Sequence, residues 1–155
     1  LQSVIFLSQQ SDTLKVRIYL RQFVLNTTKD EIKAENYIKQ AISLSRKLNY
    51  TYGEALSLQY YGKLYLNKQE YAKALETLYT SIKVFKEADR IEDAALSYFY
   101  IGFIFIFFKN NEEALKYTEI GKSLLFKNFN VSKGAEVDAL IDNYYRLKKY
   151  DLAIE

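Results

Sequence analysis

Apolar residues recur along this chain at intervals of three and four positions, which is the spacing of one face of an α-helix. The intervals continue through most of the sequence, and no segment keeps the sustained alternation that predicts a half-buried β-strand. The predicted helices span residues 13–26, 29–48, 52–67, 69–87, 91–108, 111–126 and 134–147. The pattern therefore predicts an all-α protein whose helices are joined by short connections.

Residues typical of helix N-termini stand at the start of three of these segments. In each case a side chain that can cap a helix is followed three positions later by a carboxylate that can return the hydrogen bond. The pairs are Thr28 with Glu31, Asn67 with Glu70, and Asn110 with Glu113. Gly53 and Gly134 indicate further junctions between helical segments.

The sequence repeats itself with a period of about 40 residues, within the range typical of repeat proteins. Small residues recur in three series, which are Ala34, Ala74 and Ala114; Ala41, Ser81 and Gly121; and Ala55, Ala95 and Ala135. Because a glycine inside a helix costs about 1 kcal/mol relative to alanine, Gly62 and Gly102 indicate places where two helices approach closely. The repeat predicts one domain, residues 1–155, of stacked units that bury a shared core. The predicted units are residues 12–51, 52–90, 91–130 and 131–155, and the last is incomplete.

The second unit carries the most complete motif. Its first helix has the spacing Leu-x-x-Tyr-Gly-x-x-Tyr from Leu58 to Tyr65, and its second helix has Tyr71, Ala74 and Leu78. This pattern resembles the tetratricopeptide repeat, although the tryptophan and proline of that repeat are missing and its usual period is shorter, at about 34 residues. The fourth unit matches when it is shifted by one residue, with Leu140 and Tyr144 in its first helix and Tyr150 and Ala153 at the start of its second. The resemblance implies a right-handed α-solenoid of stacked antiparallel helix pairs, with about 3.5 repeats in this chain.

Composition removes several classes of chemistry. The chain has no proline, cysteine, histidine, methionine or tryptophan. Thiolate nucleophiles, imidazole bases, zinc sites with nitrogen or sulfur ligands and the usual haem ligands are therefore excluded. The triplet Gly121-Lys122-Ser123 also lacks the earlier glycine that a phosphate-binding loop requires. We therefore expect no catalysis, no cofactor and no metal site.

Charge and hydropathy narrow the range of partners. The 22 basic residues barely outnumber the 19 acidic ones, and the two signs are interspersed. A nucleic-acid surface would show clustered lysine and arginine, so we expect no nucleic acid to bind this segment. The longest apolar stretch, Tyr98 to Phe108, is far shorter than the roughly 20 residues of a membrane-spanning helix, so no transmembrane helix is predicted here.

The resemblance also implies where a ligand binds, because the first helices of successive units line a concave groove in this family. The predicted groove residues lie off the packing stripe of those helices and are Tyr19, Phe23, Gln59, Tyr60, Lys63, Phe99, Tyr100, Phe103, Phe107, Asp138 and Asp142. The segment 91–108 is apolar on nearly every side, so something must cover its outer face. Either it forms an aromatic groove for a peptide or amphipathic helix, or stacking or a second copy of the chain buries its rings.

The resemblance further implies a function. Regions with this spacing and composition are similar to tetratricopeptide sensor or regulatory modules of bacterial signal-transduction proteins, in the periplasm or the cytoplasm. The expected function is non-catalytic protein or peptide binding, and the alternative is self-association into a homodimer or larger oligomer. We also expect the chain to be part of a longer protein.

Overall fold

The structure is a computed structural model that describes residues 2–127 and 134–149, with side chains described from residue 12 onward. These residues form seven α-helices and no strand. The helices are α1 (Gln2–Asn26), α2 (Glu31–Lys47), α3 (Thr51–Asn67), α4 (Tyr71–Glu87), α5 (Ala95–Phe107), α6 (Asn111–Lys127) and α7 (Gly134–Arg146). A short 3₁₀ turn, Ile91–Ala94, precedes α5. The all-α prediction is confirmed, although α1 begins well before residue 13.

Consecutive helices pack against each other along the whole described chain. The closest pairs are α1 with α2, α3 with α4, and α5 with α6, and each second helix also contacts the first helix of the next pair. The first helices α1, α3, α5 and α7 additionally contact one another in order. Short connections between packed helices make neighbours antiparallel. The result is the predicted solenoid-like stack of helix pairs.

Each repeat consists of two halves of similar length, because the same turn ends both of its helices. Asn49, Gln69, Asp89 and Lys109 all have positive φ angles, between 52° and 60°, just after a helix. At each one, the N–H of the following residue donates to the carbonyl five positions earlier, at 2.9–3.0 Å, which closes a Schellman turn. The same turn recurs at Lys148, one position short of a full repeat after Lys109. The last unit is thus displaced by one position, as the sequence predicts.

Two of the three predicted caps are wrong. Asn110 does cap α6, since its Oδ1 accepts from the backbone N–H three positions later at 3.2 Å. Asp30, rather than Thr28, caps α2 through an equivalent bond of 2.9 Å. Asn67 is the last residue of α3, and α4 begins without a capping side chain. A turn residue, Thr28, and the last residue of α3 thus stand where the polar pattern predicts the starts of α2 and α4.

The small residues mark the closest helix contacts. A Cβ atom on Gly62 would lie 2.6 Å from the Leu78 side chain, and one on Gly121 would lie 2.5 Å from the ring of Phe99. The first two small-residue series are buried throughout. The third fails at Ala135, which is exposed at the start of α7. Close packing of each second helix on its neighbours explains why the small residues recur.

Thr118 stands where the motif calls for a large apolar residue, and the structure shows what replaces it. Its hydroxyl donates to the Ala114 carbonyl at 2.8 Å and accepts a bond of 3.1 Å from the amide of Asn143 on α7. The same amide donates to the Phe99 carbonyl at 2.9 Å. Thr118 and Asn143 are both buried. A polar link therefore joins α5, α6 and α7 in place of an apolar contact.

An ion-pair cluster joins α2 to the end of α3. Lys68 Nζ lies 2.7 Å from Glu35 and 2.9 Å from Glu31, and Lys39 Nζ lies 2.7 Å from Glu35. The Glu35 side chain is only 23% exposed. Hydrogen bonds from Lys39 and Lys68 lower the pKa of Glu35 to about 2, against an ordinary value of 4.5. The cluster stabilises the junction of the first two units.

Candidate functional site

A groove of about 580 Å³ lies along the first helices, between α3, α5 and α7. Six of the predicted residues line it, and they are Lys63, Phe99, Tyr100, Phe103, Asp138 and Asp142. We call it the concave groove. Its position follows from the fold, because the contacts of α3 and α7 with α5 bring residues of successive repeats to one surface.

Aromatic rings form the centre of the concave groove. Tyr100 and Phe103 are half-buried on α5. Burial raises the pKa of the Tyr100 hydroxyl, and the nearby Tyr60 and Glu136 raise it further. That hydroxyl stays neutral and can donate or accept a hydrogen bond. The concave groove thus presents two aromatic rings and the Tyr100 hydroxyl to a ligand.

Charged side chains stand on the two sides of these rings. Lys63 Nζ lies 5.8 Å from the centroid of the Tyr100 ring. On the α7 side, Asp142 Oδ2 accepts from Arg146 Nε at 2.8 Å, and the Arg146 guanidinium lies 4.8 Å from the centroid of the Phe103 ring. Lys63 thus lies on the α3 side of an aromatic floor, and on its α7 side lie Asp138 and the ion pair of Asp142 with Arg146.

The other predicted residues do not line this groove. Phe23 is 2% exposed in the core, with its ring 5.7 Å from that of Tyr60. Tyr19 packs towards α2, where its ring lies 6.3 Å from that of Tyr37. Tyr60 lines a separate, smaller groove of about 240 Å³ between α1 and α3. Phe107 is exposed at the end of α5, outside the lining of the concave groove.

Gln59 is buried and holds neighbouring helices together through hydrogen bonds. It is 5% exposed, and its Nε2 donates to the Asp93 carbonyl at 3.1 Å and to Ser97 Oγ at 3.0 Å. Phe99, its counterpart one repeat later, is 1% exposed and reaches only the base of the concave groove. Gln59 lies where α3 packs against α5, and the Phe99 ring packs against Gly121 of α6 and in one apolar cluster with Leu140 of α7. The sequence pattern missed the contact of Gln59 because it counted only the packing of each first helix on its own second helix.

Sequence reasoning also missed several residues of the concave groove. Leu66 and Tyr71 line it at the end of α3 and the start of α4, and Asn143 lines it from α7. The repeat motif includes Tyr71 but does not indicate that its ring faces a groove. Asn143 gave a usable signal, since a polar residue on the apolar stripe of a helix calls for a hydrogen-bond partner.

Across residues 12–127 and 134–149, no three acidic side chains converge into a set that could hold a metal ion. Nor does any helix of this part of the chain combine the length and the apolar run that would be needed to cross a membrane.

Comparison with known proteins gives no relative. No protein family, no curated protein and no solved structure matches this chain. The geometry of the grooves is therefore the basis for a functional proposal.

Proposed function

We propose that this chain is a non-catalytic module that binds a peptide segment of a partner protein in the concave groove. The observation that carries the proposal is the pair of half-buried rings, Tyr100 and Phe103, between Lys63 and the carboxylates of α7. Binding pockets combine a mostly apolar lining with a few polar groups that fix orientation. Aromatic residues are also enriched at the centres of protein interfaces.

The lining supports a specific kind of peptide. The volume of about 580 Å³ lies within the range of roughly 300–1,000 Å³ typical of ligand pockets, which suits a few side chains. An apolar or aromatic residue of the peptide would pack against Phe103 and Tyr100. A basic residue would lie beside Asp138, and a carboxylate or a backbone carbonyl would accept from Lys63.

The finer proposal is that the module is a regulatory or sensor region of a bacterial signal-transduction protein. Its support is the resemblance of the motif from Leu58 to Tyr65 to tetratricopeptide repeats, together with the solenoid-like stack. Finding a kinase or DNA-binding module in the same polypeptide would support this proposal, and finding an unrelated enzyme domain there would contradict it.

Self-association is a second candidate, favoured by the exposed end of α5. Phe107 and Phe108 are 55% and 54% exposed, and their rings lie 4.4 and 5.5 Å from that of Tyr71. Clustered apolar surface of this kind is typical of interfaces. Sedimentation of the protein and of a Phe107→Ser variant decides between the candidates, because a monomer across the micromolar range is incompatible with an obligate dimer.

The main proposal is tested by selecting peptides from a random display library on the purified protein. Affinities of the selected peptides are then measured by fluorescence anisotropy. We expect Phe103→Ser to weaken binding by about tenfold or more, since truncating a hot-spot residue at the centre of an interface costs about 2 kcal/mol or more. Phe126→Ser is the matched control on α6, outside the groove, and should change affinity by less than about twofold. Equal effects of the two substitutions would refute the proposal.

A further inference from the structure

Each pair of successive second helices has a groove between its members, with the intervening first helix as its floor. One groove lies between α2 and α4 over α3, and the next lies between α4 and α6 over α5. Because the units repeat at a fixed interval, each side chain of the first groove has a counterpart in the second. The two grooves can therefore be compared position by position.

Tyrosine rings fill the groove between α4 and α6. The Tyr117 ring lies parallel to the Phe105 ring, with centroids 5.4 Å apart, and 6.3 Å from the Tyr98 ring. Tyr79 adds a third tyrosine, and its hydroxyl donates to the Tyr117 hydroxyl at 2.7 Å. The backbone shape of this groove thus accommodates stacked phenol rings.

The groove between α2 and α4 lacks those rings. The counterparts of Tyr79, Tyr98 and Tyr117 are Lys39, Leu58 and Thr77. A cleft of about 660 Å³ remains, and these three residues are part of its lining. We call it the second-helix groove. Its volume lies within the roughly 300–1,000 Å³ range of ligand pockets.

The aromatic wall of the second-helix groove is nevertheless present. Tyr65, the counterpart of Phe105, lines the cleft with Tyr61, and the two rings lie 4.4 Å apart. Their hydroxyls are joined by a hydrogen bond of 2.7 Å, and the Tyr61 hydroxyl lies 3.3 Å from Glu35. Tyr65 thus stands at the position of Phe105 without a ring stacked on it from α4, and the ammonium of the exposed Lys73 side chain lies 5.5 Å from the centroid of its ring.

Charges at the rim of the second-helix groove do not favour an anion. Lys39 pairs with Glu35 at 2.7 Å, Arg46 pairs with Glu54 at 2.6 Å, and Lys73 pairs with Glu70. Each basic side chain thus already has an acidic partner. An uncharged ring with a hydroxyl group suits these walls better than a phosphate or a carboxylate.

We propose that the second-helix groove is a docking site for a tyrosine side chain presented by a partner polypeptide. The ring takes the place that Tyr117 occupies one unit later and stacks against Tyr65. Its hydroxyl points towards Lys39, at the position of Tyr79. This site is separate from the concave groove, since the two grooves have different lining residues.

The experiment uses an acetylated and amidated glycine-serine heptapeptide with one central tyrosine, and a twin with leucine in its place. Saturation-transfer NMR measures contact of each peptide with the protein. We expect transfer to the tyrosine ring, with a dissociation constant of about 1 mM for so small an anchor, and at least about tenfold weaker binding of the leucine twin.

Substitutions in the protein locate that contact. Thr77→Tyr restores the ring found in the next unit, so it should fill the groove and abolish transfer while the helical circular dichroism is unchanged. Lys83→Tyr, which adds a tyrosine on α4 outside the groove lining, should leave binding intact. If Thr77→Tyr fails to fold, Ser43→Phe replaces it in the experiment. This substitution fills the groove from an exposed position on α2, and it should also abolish transfer to the tyrosine peptide.

Three results overturn the proposal. They are the absence of transfer at about 5 mM peptide, equal binding of the two peptides, and transfer that survives both filling substitutions. A fourth result is self-association that Thr77→Tyr abolishes, which would assign the groove to a second copy of this chain instead of a partner. Because the concave groove is unchanged in Thr77→Tyr, loss of this site leaves peptide binding at Phe103 as a separate measurement.

Discussion

The polar link made by Asn143 predicts how α7 is held on the stack. Asn143 is 2% exposed, and its amide donates to the Phe99 carbonyl at 2.9 Å and to the Thr118 hydroxyl at 3.1 Å. Replacing Asn143 with alanine removes both bonds. A net contribution of about 1 kcal/mol per buried hydrogen bond gives a loss of about 2 kcal/mol.

The loss should be local, because each unit of a stack contacts only its neighbours. We expect amide hydrogen exchange in α7 to become about 30-fold faster in Asn143→Ala, which is the factor that about 2 kcal/mol represents. Exchange in α2 should stay unchanged. Asn36→Ala, at an exposed position of α2, is the control and should alter neither helix appreciably. Unchanged α7 exchange, or equal acceleration in all helices, would refute this reasoning.

The turns and the polar contacts give three further predictions. Lys109 has a φ of 59°, a left-handed conformation that costs a residue other than glycine about 1–2 kcal/mol. Lys109→Gly removes this cost but adds about 0.5–1 kcal/mol of chain entropy lost on folding. The substitution should therefore raise the free energy of unfolding in urea by about 0.5–1 kcal/mol. Asn49→Gly should gain less, because asparagine tolerates this conformation. Since the pKa of Glu35 is lowered to about 2, its ion pairs stabilise the fold above about pH 5 and are lost as the pH falls through 2. Glu35→Gln should therefore lower the free energy of unfolding at pH 7 by about 1–2 kcal/mol, reduced for partial exposure, and a persistent difference near pH 2 would contradict this. Gln59→Ala should cost about 2 kcal/mol in the same assay through the two bonds lost to the 3₁₀ turn and α5, and a loss below about 0.5 kcal/mol would argue against their role.

The helices and their repeat were predictable because two signals agree. Apolar spacing located seven segments, and small residues such as Ala34 and Gly62 recur where helices approach closely. The turns were not predictable in the same way. Positive φ angles usually indicate glycine, but here Gln69 and Lys109 occupy them. The turn at the middle of each repeat therefore left no glycine signal in the sequence.

The concave groove was only partly predictable. Lys63, Tyr100 and Phe103 line it as predicted, because they lie on the sides of α3 and α5 that no second helix covers. Gln59 and Phe23 do not, since contacts between successive first helices bury them. The apolar pattern of one helix contains no information about its contacts with the first helix of the next unit. The predicted start of the fourth second helix, near Tyr150, lies outside the described residues.

The central claim is that a peptide binds in the concave groove, and NMR mapping of a selected peptide tests it most directly. Adding the peptide to isotope-labelled protein should shift the resonances of Lys63, Tyr100, Phe103 and Asp138 in a saturable manner, with a dissociation constant that matches the anisotropy value. Resonances of the exposed Phe126 should stay in place. Shifts confined to the second-helix groove or to the exposed end of α5, with Tyr100 and Phe103 unaffected, would contradict the claim.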